Sequence, residues 1–183
     1  MALILSQNDS QIWQKLDGLK LAHPVFVSPT DTVYGLGTPI GDSVGEQRIR
    51  ELKGRMGGHF IYLVKDFEQA LDLAEMKNGT RGLLEKYWPG PISFILRRKG
   101  TGETVALRMP KNPFLRSLLD YYGKPILSTS CNLTSLPPVK TVEEAAALFN
   151  SRVDFYVDGG NVEANAPSTL VDLRLAEPRV LRA

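Results

Sequence analysis

The spacing of apolar positions along the chain changes period repeatedly, between the 3.6-residue repeat of a helix and the short unbroken runs of a buried strand. Ile12, Trp13, Leu16 and Leu19 fall on one helical face, and the Asp9-Ser10 pair before them is suited to cap it. Val25-Phe26-Val27 reads as a short buried strand entering a stretch dense in Pro, Thr, Asp and Gly. Val44, Ile49 and Leu52 predict a second helix ending near Lys53-Gly54. Phe60 to Val64 is a predicted strand, followed by a helical stripe at Phe67, Ala70, Leu71 and Ala74.

The second half continues the alternation. Ile92 to Leu96 and Val105 to Leu107 read as strands, and Ile126-Leu127 begins another. Phe114, Leu115, Leu118 and Leu119 form a helical face opened by Asn112-Pro113, a cap followed by proline at the first helical position. Thr141-Val142-Glu143-Glu144 has the spacing of a capping box, with Val142, Ala145, Ala146 and Phe149 behind it. Phe155 to Val157, Thr169 to Leu173 and Arg179 to Leu181 are late strands. With no long linker, low-complexity tract or internal repeat, residues 1–183 read as one α/β domain with a mixed sheet.

Composition narrows the chemistry. The 183 residues are 43% hydrophobic and 23% charged, which excludes disorder, collagen-like repeats and coiled coils. Apolar runs are too short to cross a membrane, and Met1 to Ser10 lacks the basic flank of a secretory signal. One cysteine, Cys131, excludes an intramolecular disulfide and a cysteine-built metal site, so the expected location is the cytoplasm. Two histidines, His23 and His59, are too few for an imidazole metal centre, and no metal ligands are assigned. A net charge of +2 is far from that of a dedicated nucleic-acid binder, yet compatible with a local basic groove.

Four loop clusters carry polar groups where the chain enters or leaves strands, the usual place for function. Ser28-Pro29-Thr30-Asp31-Thr32-Val33-Tyr34-Gly35-Leu36-Gly37 offers hydroxyls and close backbone approach, although a plain strand-to-helix turn reads equally well. It is no dinucleotide fingerprint, because Gly41 falls one residue too late. Lys53-Gly54-Arg55-Met56-Gly57-Gly58-His59 could grip a polyphosphate; taken alone, a solvated helix C-terminus is the simpler reading. Ser128-Thr129-Ser130-Cys131-Asn132-Leu133-Thr134 forms a hydroxyl shelf with no histidine for a serine hydrolase, and Cys131 reads as a buried structural thiol. Arg108, Arg179 and Arg182 are candidate anion binders at strand ends.

Taken together, these clusters resemble the YrdC/Sua5 family of threonylcarbamoyl-AMP synthases. Pro29-Thr30-Asp31-Thr32-Val33-Tyr34-Gly35-Leu36-Gly37 is similar to the family's P-T-[DE]-T-V-Y-G-L-G, Lys53-Gly54-Arg55 to its K-x-R, and Ser130-Cys131-Asn132 to its S-x-N. Trp88-Pro89-Gly90-Pro91, Val105-Ala106-Leu107-Arg108-Met109-Pro110, Asp158-Gly159-Gly160 and Ser168-Thr169-Leu170-Val171-Asp172-Leu173 follow in order. The resemblance implies a twisted open mixed sheet flanked by helices around a concave, positively charged cavity (YrdC/RibB-like). It also implies a reaction in which L-threonine, bicarbonate or CO2, and ATP with Mg2+ give threonylcarbamoyl-AMP and pyrophosphate. The product would pass to a threonylcarbamoyl-transferase complex that modifies adenosine 37 of tRNA, and some members bind RNA.

Carried over by position, Thr32, Arg108, Ser128 and Ser168 would hold threonine. Lys53, Arg55, His59, Thr104, Ser130, Asn132 and Arg182 would hold ATP, with Lys53, Arg55, Ser130 and Asn132 carrying the catalysis. The chain departs from the pattern at several places. Met56-Gly57-Gly58-His59-Phe60-Ile61 replaces a segment that carries two prolines in the family, and Val64 stands where some members place a threonine-contacting histidine. Asn132-Leu133-Thr134-Ser135 replaces N-x-S-G, and Ala183 a glycine. These departures keep two other readings open. One is a YciO-like paralogue that binds RNA or nucleotide without making the adenylate; the other is a carbamoyl-phosphate-converting domain like the one within hydrogenase-maturation proteins.

Overall fold

Short apolar strands alternating with amphipathic helices assemble, in a computed structural model describing residues 2–54, 60–77, 79–162, 166–175 and 177–183, into one mixed β-sheet. The strands are β1 (Ile4–Ser6), β2 (Phe26–Ser28), β3 (Gly35–Pro39), β4 (Ile61–Leu63), β5 (Ala74–Glu75) and β6 (Ile92–Arg98). They continue with β7 (Thr104–Arg108), β8 (Ile126–Ser130), β9 (Phe155–Asp158), β10 (Thr169–Asp172) and β11 (Arg179–Arg182). The helices are α1 (Ile12–Leu19), α2 (Ser43–Leu52), α3 (Phe67–Leu73), α4 (Thr80–Glu85), α5 (Pro113–Tyr122) and α6 (Val142–Phe149).

The strand order is β1-β9-β2-β3-β8-β4-β7-β6-β10-β11, with β5 added to β6. Pairs β1·β9, β2·β9, β4·β7 and β6·β10 are parallel, while β2·β3, β3·β8, β4·β8, β6·β7 and β10·β11 are antiparallel. Side chains alternate across the strands, so the sheet feeds a core on each face. Phe26, Phe155 and Val157 pack with α1 and α5. Val25, Val27 and Tyr156 pack on the opposite side with Ile49 and Leu52 of α2 and with α6. A third cluster joins β6 and β7 to α3, α4 and Trp88.

Helix starts follow the predicted chemistry at two places. Asn112 Oδ1 accepts from Leu115 N at 2.9 Å with Pro113 leading α5, and Thr141 Oγ1 accepts from Glu144 N at 3.2 Å. The Asp9-Ser10 pair does not cap α1. Gln11 occupies that position, while Asp9 accepts from Gln11 N and pairs with Lys15.

The Gly-rich stretch after Tyr34 is not a turn entering a helix. Gly35–Pro39 forms β3, a central strand paired with β2 and β8. A Cβ on Gly37 would lie 2.8 Å from the Phe26 ring and 3.1 Å from Ile126 Cγ2, so glycine is needed for close approach here. Phe26 is fully buried and cannot yield cheaply. Gly37→Ala is therefore expected to destabilise the fold by ~1–3 kcal/mol, lowering the unfolding temperature in calorimetry by roughly 2–4 °C per kcal/mol. An unchanged unfolding temperature would contradict this packing.

Candidate functional site

Six separated segments meet at one cleft of about 240 Å³. The loop between β2 and β3 contributes Thr30, Thr32 and Val33, and β3 itself contributes Gly35. Lys53 enters from the end of α2, Ile61 and Leu63 from β4, and Arg108 from the end of β7. Strand β8 and the loop behind it supply Ser128, Thr129, Ser130, Asn132, Thr134 and Ser135; Pro167, Ser168 and Arg182 complete the wall from the β10–β11 hairpin.

Two hydrogen-bonded groups face this space. The first is built on Arg108, which is 4% exposed. Its Nε donates to Gly90 O at 3.1 Å and its Nη1 to Thr32 Oγ1 at 2.9 Å. Its Nη2 lies 2.6 Å from Asp31 Oδ1, but the N–H vectors point off the line between them. Asp31 thus neutralises the guanidinium without consuming the Nη2 donors, and among the described residues neither Asp31 oxygen accepts a hydrogen bond. Buried donors left unspent are costly, and an anion brought to the guanidinium would recover that cost. Thr32 is fixed by Thr30, whose Oγ1 accepts from the Thr32 and Val33 amides.

Beside it, Arg182 Nε and Nη2 donate to Ser168 O at 3.0 and 2.7 Å, while the Ser168 hydroxyl pairs with buried Ser93 at 2.8 Å. Burial, and secondarily the Arg108 guanidinium, lower the Arg182 pKa. Two guanidiniums close enough to repel make the site selective for negative charge.

The second group centres on Lys53. The sequence alone favoured a solvated helix end; instead the side chain is 4% exposed. Its Nζ donates to Ser130 O at 2.7 Å and to Asn132 Oδ1, which also accepts from Ser130 Oγ at 2.7 Å. Thr134 Oγ1 closes the loop onto Lys53 O at 2.8 Å. Ser128 approaches β3 across Gly35, where a Cβ would stand 3.0 Å from the Ser128 hydroxyl. Behind the cleft, Tyr34 OH donates to Gly160 O and accepts from Gly159 N, tying the Asp158-Gly159-Gly160 turn to the threonine-rich loop.

Of the residues singled out from sequence, Thr32, Lys53, Arg108, Ser128, Ser130, Asn132, Ser168 and Arg182 come together here. Thr104 does not. It begins β7, at the opposite end of the strand from Arg108, and its Oγ1 accepts from Arg174 Nη1 at 2.6 Å. Arg55 and His59 lie outside the described residues. Val64 is wholly buried, and its amide bonds Arg108 O at 2.9 Å, so Leu63 rather than Val64 lines the cleft. Asp31, from the same threonine-rich motif, sits against Arg108, and its acidic charge among hydroxyls is the sequence signal for it.

Cys131 also belongs to the inside rather than the site. It is 0% exposed, and burial pushes its thiol up to about 12, Lys53 offsetting this in part. At pH 8 the native thiol is expected to react with iodoacetamide on the order of a thousandfold more slowly than in the denatured chain, because the thiolate is the reactive form. Equal rates in the two states would contradict the burial.

Comparison with known proteins places the cleft in context. The Sua5_yciO_yrdC family model, described as "Telomere recombination", matches residues 22–183. A threonylcarbamoyl-AMP synthase of Pyrococcus abyssi is 32% identical over 164 residues, covering 84% of this chain and 48% of that protein. The chain therefore spans about half the length of this relative. The crystal structure of P. abyssi Sua5 complexed with L-threonine superposes on the whole chain and 57% of its own, with TM-score 0.86 and 28% identity. The crystal structure of E. coli YciO superposes on the whole chain and 95% of its own, with TM-score 0.88 and 27% identity.

Proposed function

Because this chain belongs to the Sua5/YciO/YrdC family, we propose that it is an L-threonylcarbamoyladenylate synthase, a nucleotidyltransferase acting on L-threonine, bicarbonate or CO2, and ATP. The observation that carries the reading is the convergence of Thr32, Arg108, Ser168 and Arg182 with Lys53, Ser130 and Asn132 on one cleft. A mixed set of cations and hydroxyls with one buried carboxylate suits a small amino acid beside a polyanion.

In this reading the threonine carboxylate takes the unspent Arg108 donors, whose planar fork matches two oxygens. The amino nitrogen forms a C–N bond to the carbon of CO2 and loses a proton, giving the carbamate. A carbamate oxygen then attacks the α-phosphorus of ATP; the bond from that phosphorus to the bridging oxygen breaks, and pyrophosphate leaves. Both reactants are negative, so Lys53 and Arg182 lower the repulsion between them, while Ser130 and Asn132 fix the nucleotide. Among the described residues, no group of three or more His, Cys, Asp or Glu is placed to hold an ion. Mg2+ would arrive on the triphosphate, and no step is assigned to it. Transfer of the product to a tRNA-modifying complex in the cytoplasm, and contact with RNA, complete the proposal. No helix among the described residues is long and apolar enough to cross a membrane.

A second reading, a YciO-like paralogue that binds nucleotide or RNA without forming the adenylate, is favoured by the superposition on 95% of YciO. Pyrophosphate release separates the two. With ATP and bicarbonate, release should depend on L-threonine; release that ignores threonine, or none from folded protein, would overturn the synthase reading.

A further inference from the structure

Ser135 lines the cleft with its backbone at φ 71, one of three non-glycine residues at positive φ among those described. Its turn is closed by Leu136 N donating to Leu133 O at 3.1 Å, which makes Ser135 the third of four turn residues. Positive φ at that position belongs to glycine or asparagine, and any other L-residue there is strained. Strain of this kind, where it persists beside a site, motivates a search for what the side chain does.

The neighbours on this wall spend their polar atoms on one another. Asn132 Oδ1 accepts from Lys53 and Ser130, its Nδ2 donates to Leu136 O, and Thr134 donates to Lys53 O. The Ser135 side chain is exposed, and among the described residues its hydroxyl takes part in no such bond. A hydroxyl held at a strained position on the wall of the cleft that Lys53 also lines, and bonded to no described residue, is placed to donate to a ligand.

We propose that Ser135 is a further nucleotide-contacting residue whose hydroxyl donates to a phosphate oxygen of the bound triphosphate. The proposal rests on the nucleotide reading above. The partner is the nucleotide rather than the amino acid because Ser135 belongs to the same loop as Asn132 and Thr134, which bond Lys53.

Two substitutions separate the hydroxyl from the strain. Ser135→Ala removes the hydroxyl and keeps a Cβ at φ 71; Ser135→Gly removes both. Calorimetric titration with MgATP should show both variants binding about ten- to a hundredfold more weakly than the parent, as expected for a lost hydrogen bond to a charged group. Titration with L-threonine should be unchanged. Ser135→Gly alone should raise the unfolding temperature, because it relieves the turn. If the parent binds MgATP and Ser135→Ala binds it equally well, the proposal is overturned while the nucleotide reading stands. A parent that binds no MgATP overturns both.

Discussion

Arg108→Ala is expected to lower L-threonine affinity by about ten- to a hundredfold, the effect of removing a charged, hydrogen-bonding partner from a carboxylate. The guanidinium is 4% exposed and oriented by Gly90 O and Thr32 Oγ1, with Asp31 alongside at 2.6 Å. Alanine would also strand the Asp31 carboxylate, whose oxygens accept no hydrogen bond from the described residues. Breaking one side of such a pair costs about 3 kcal/mol or more, so lost binding could be mistaken for lost folding. The double variant Asp31→Asn with Arg108→Ala resolves this. It should recover most of the stability of the single variant, read by denaturant unfolding, and none of the threonine affinity. Recovery of both would mean that Arg108 serves the fold and not the ligand.

The second large effect falls on Lys53. Lys53→Met keeps a long apolar stem in the same space but removes the ammonium that bonds Ser130 O and Asn132 Oδ1. Turnover should fall about a hundredfold, the size found when a preorganised electrostatic donor is deleted, with the KM for threonine little altered. Lys53→Arg should not rescue it. A planar fork does not reproduce a point charge held between a carbonyl and an amide oxygen on a side chain only 4% exposed. Full activity in either variant would remove Lys53 from the chemistry.

Helix positions were legible in the sequence because apolar spacing and capping chemistry agree locally. Asn112-Pro113 leads α5 and Thr141 caps α6, with Val142, Ala145 and Phe149 buried behind it. Strand β3 was not legible. Its Gly-Leu-Gly-Thr-Pro composition is that of a loop, and only the approach of Phe26 and Ser128 from neighbouring strands explains why small residues are required there. The short pieces β1, β5 and α4 likewise owe their form to neighbours more than to their own pattern.

The site was legible as a set of motifs but not as a geometry. Position along the chain could not show that Lys53 is buried, that Thr104 faces Arg174 at the far end of β7, or that Asp31 sits against Arg108. Those facts depend on strand register. Leu63 pairs with both Arg108 and Ile126, and Gly35 pairs with Ser130, which brings segments nearly a hundred positions apart to one wall. The same register makes the Arg108 and Lys53 groups two sides of a single space.

A crystal structure with L-threonine and a non-hydrolysable ATP analogue tests that juxtaposition most directly. The amino-acid carboxylate should lie within hydrogen-bonding distance of the Arg108 guanidinium, and the triphosphate against Lys53, Ser130 and Asn132 in the same cleft. Density for either ligand elsewhere on the molecule, or an empty cleft at saturating concentrations of both, would contradict it.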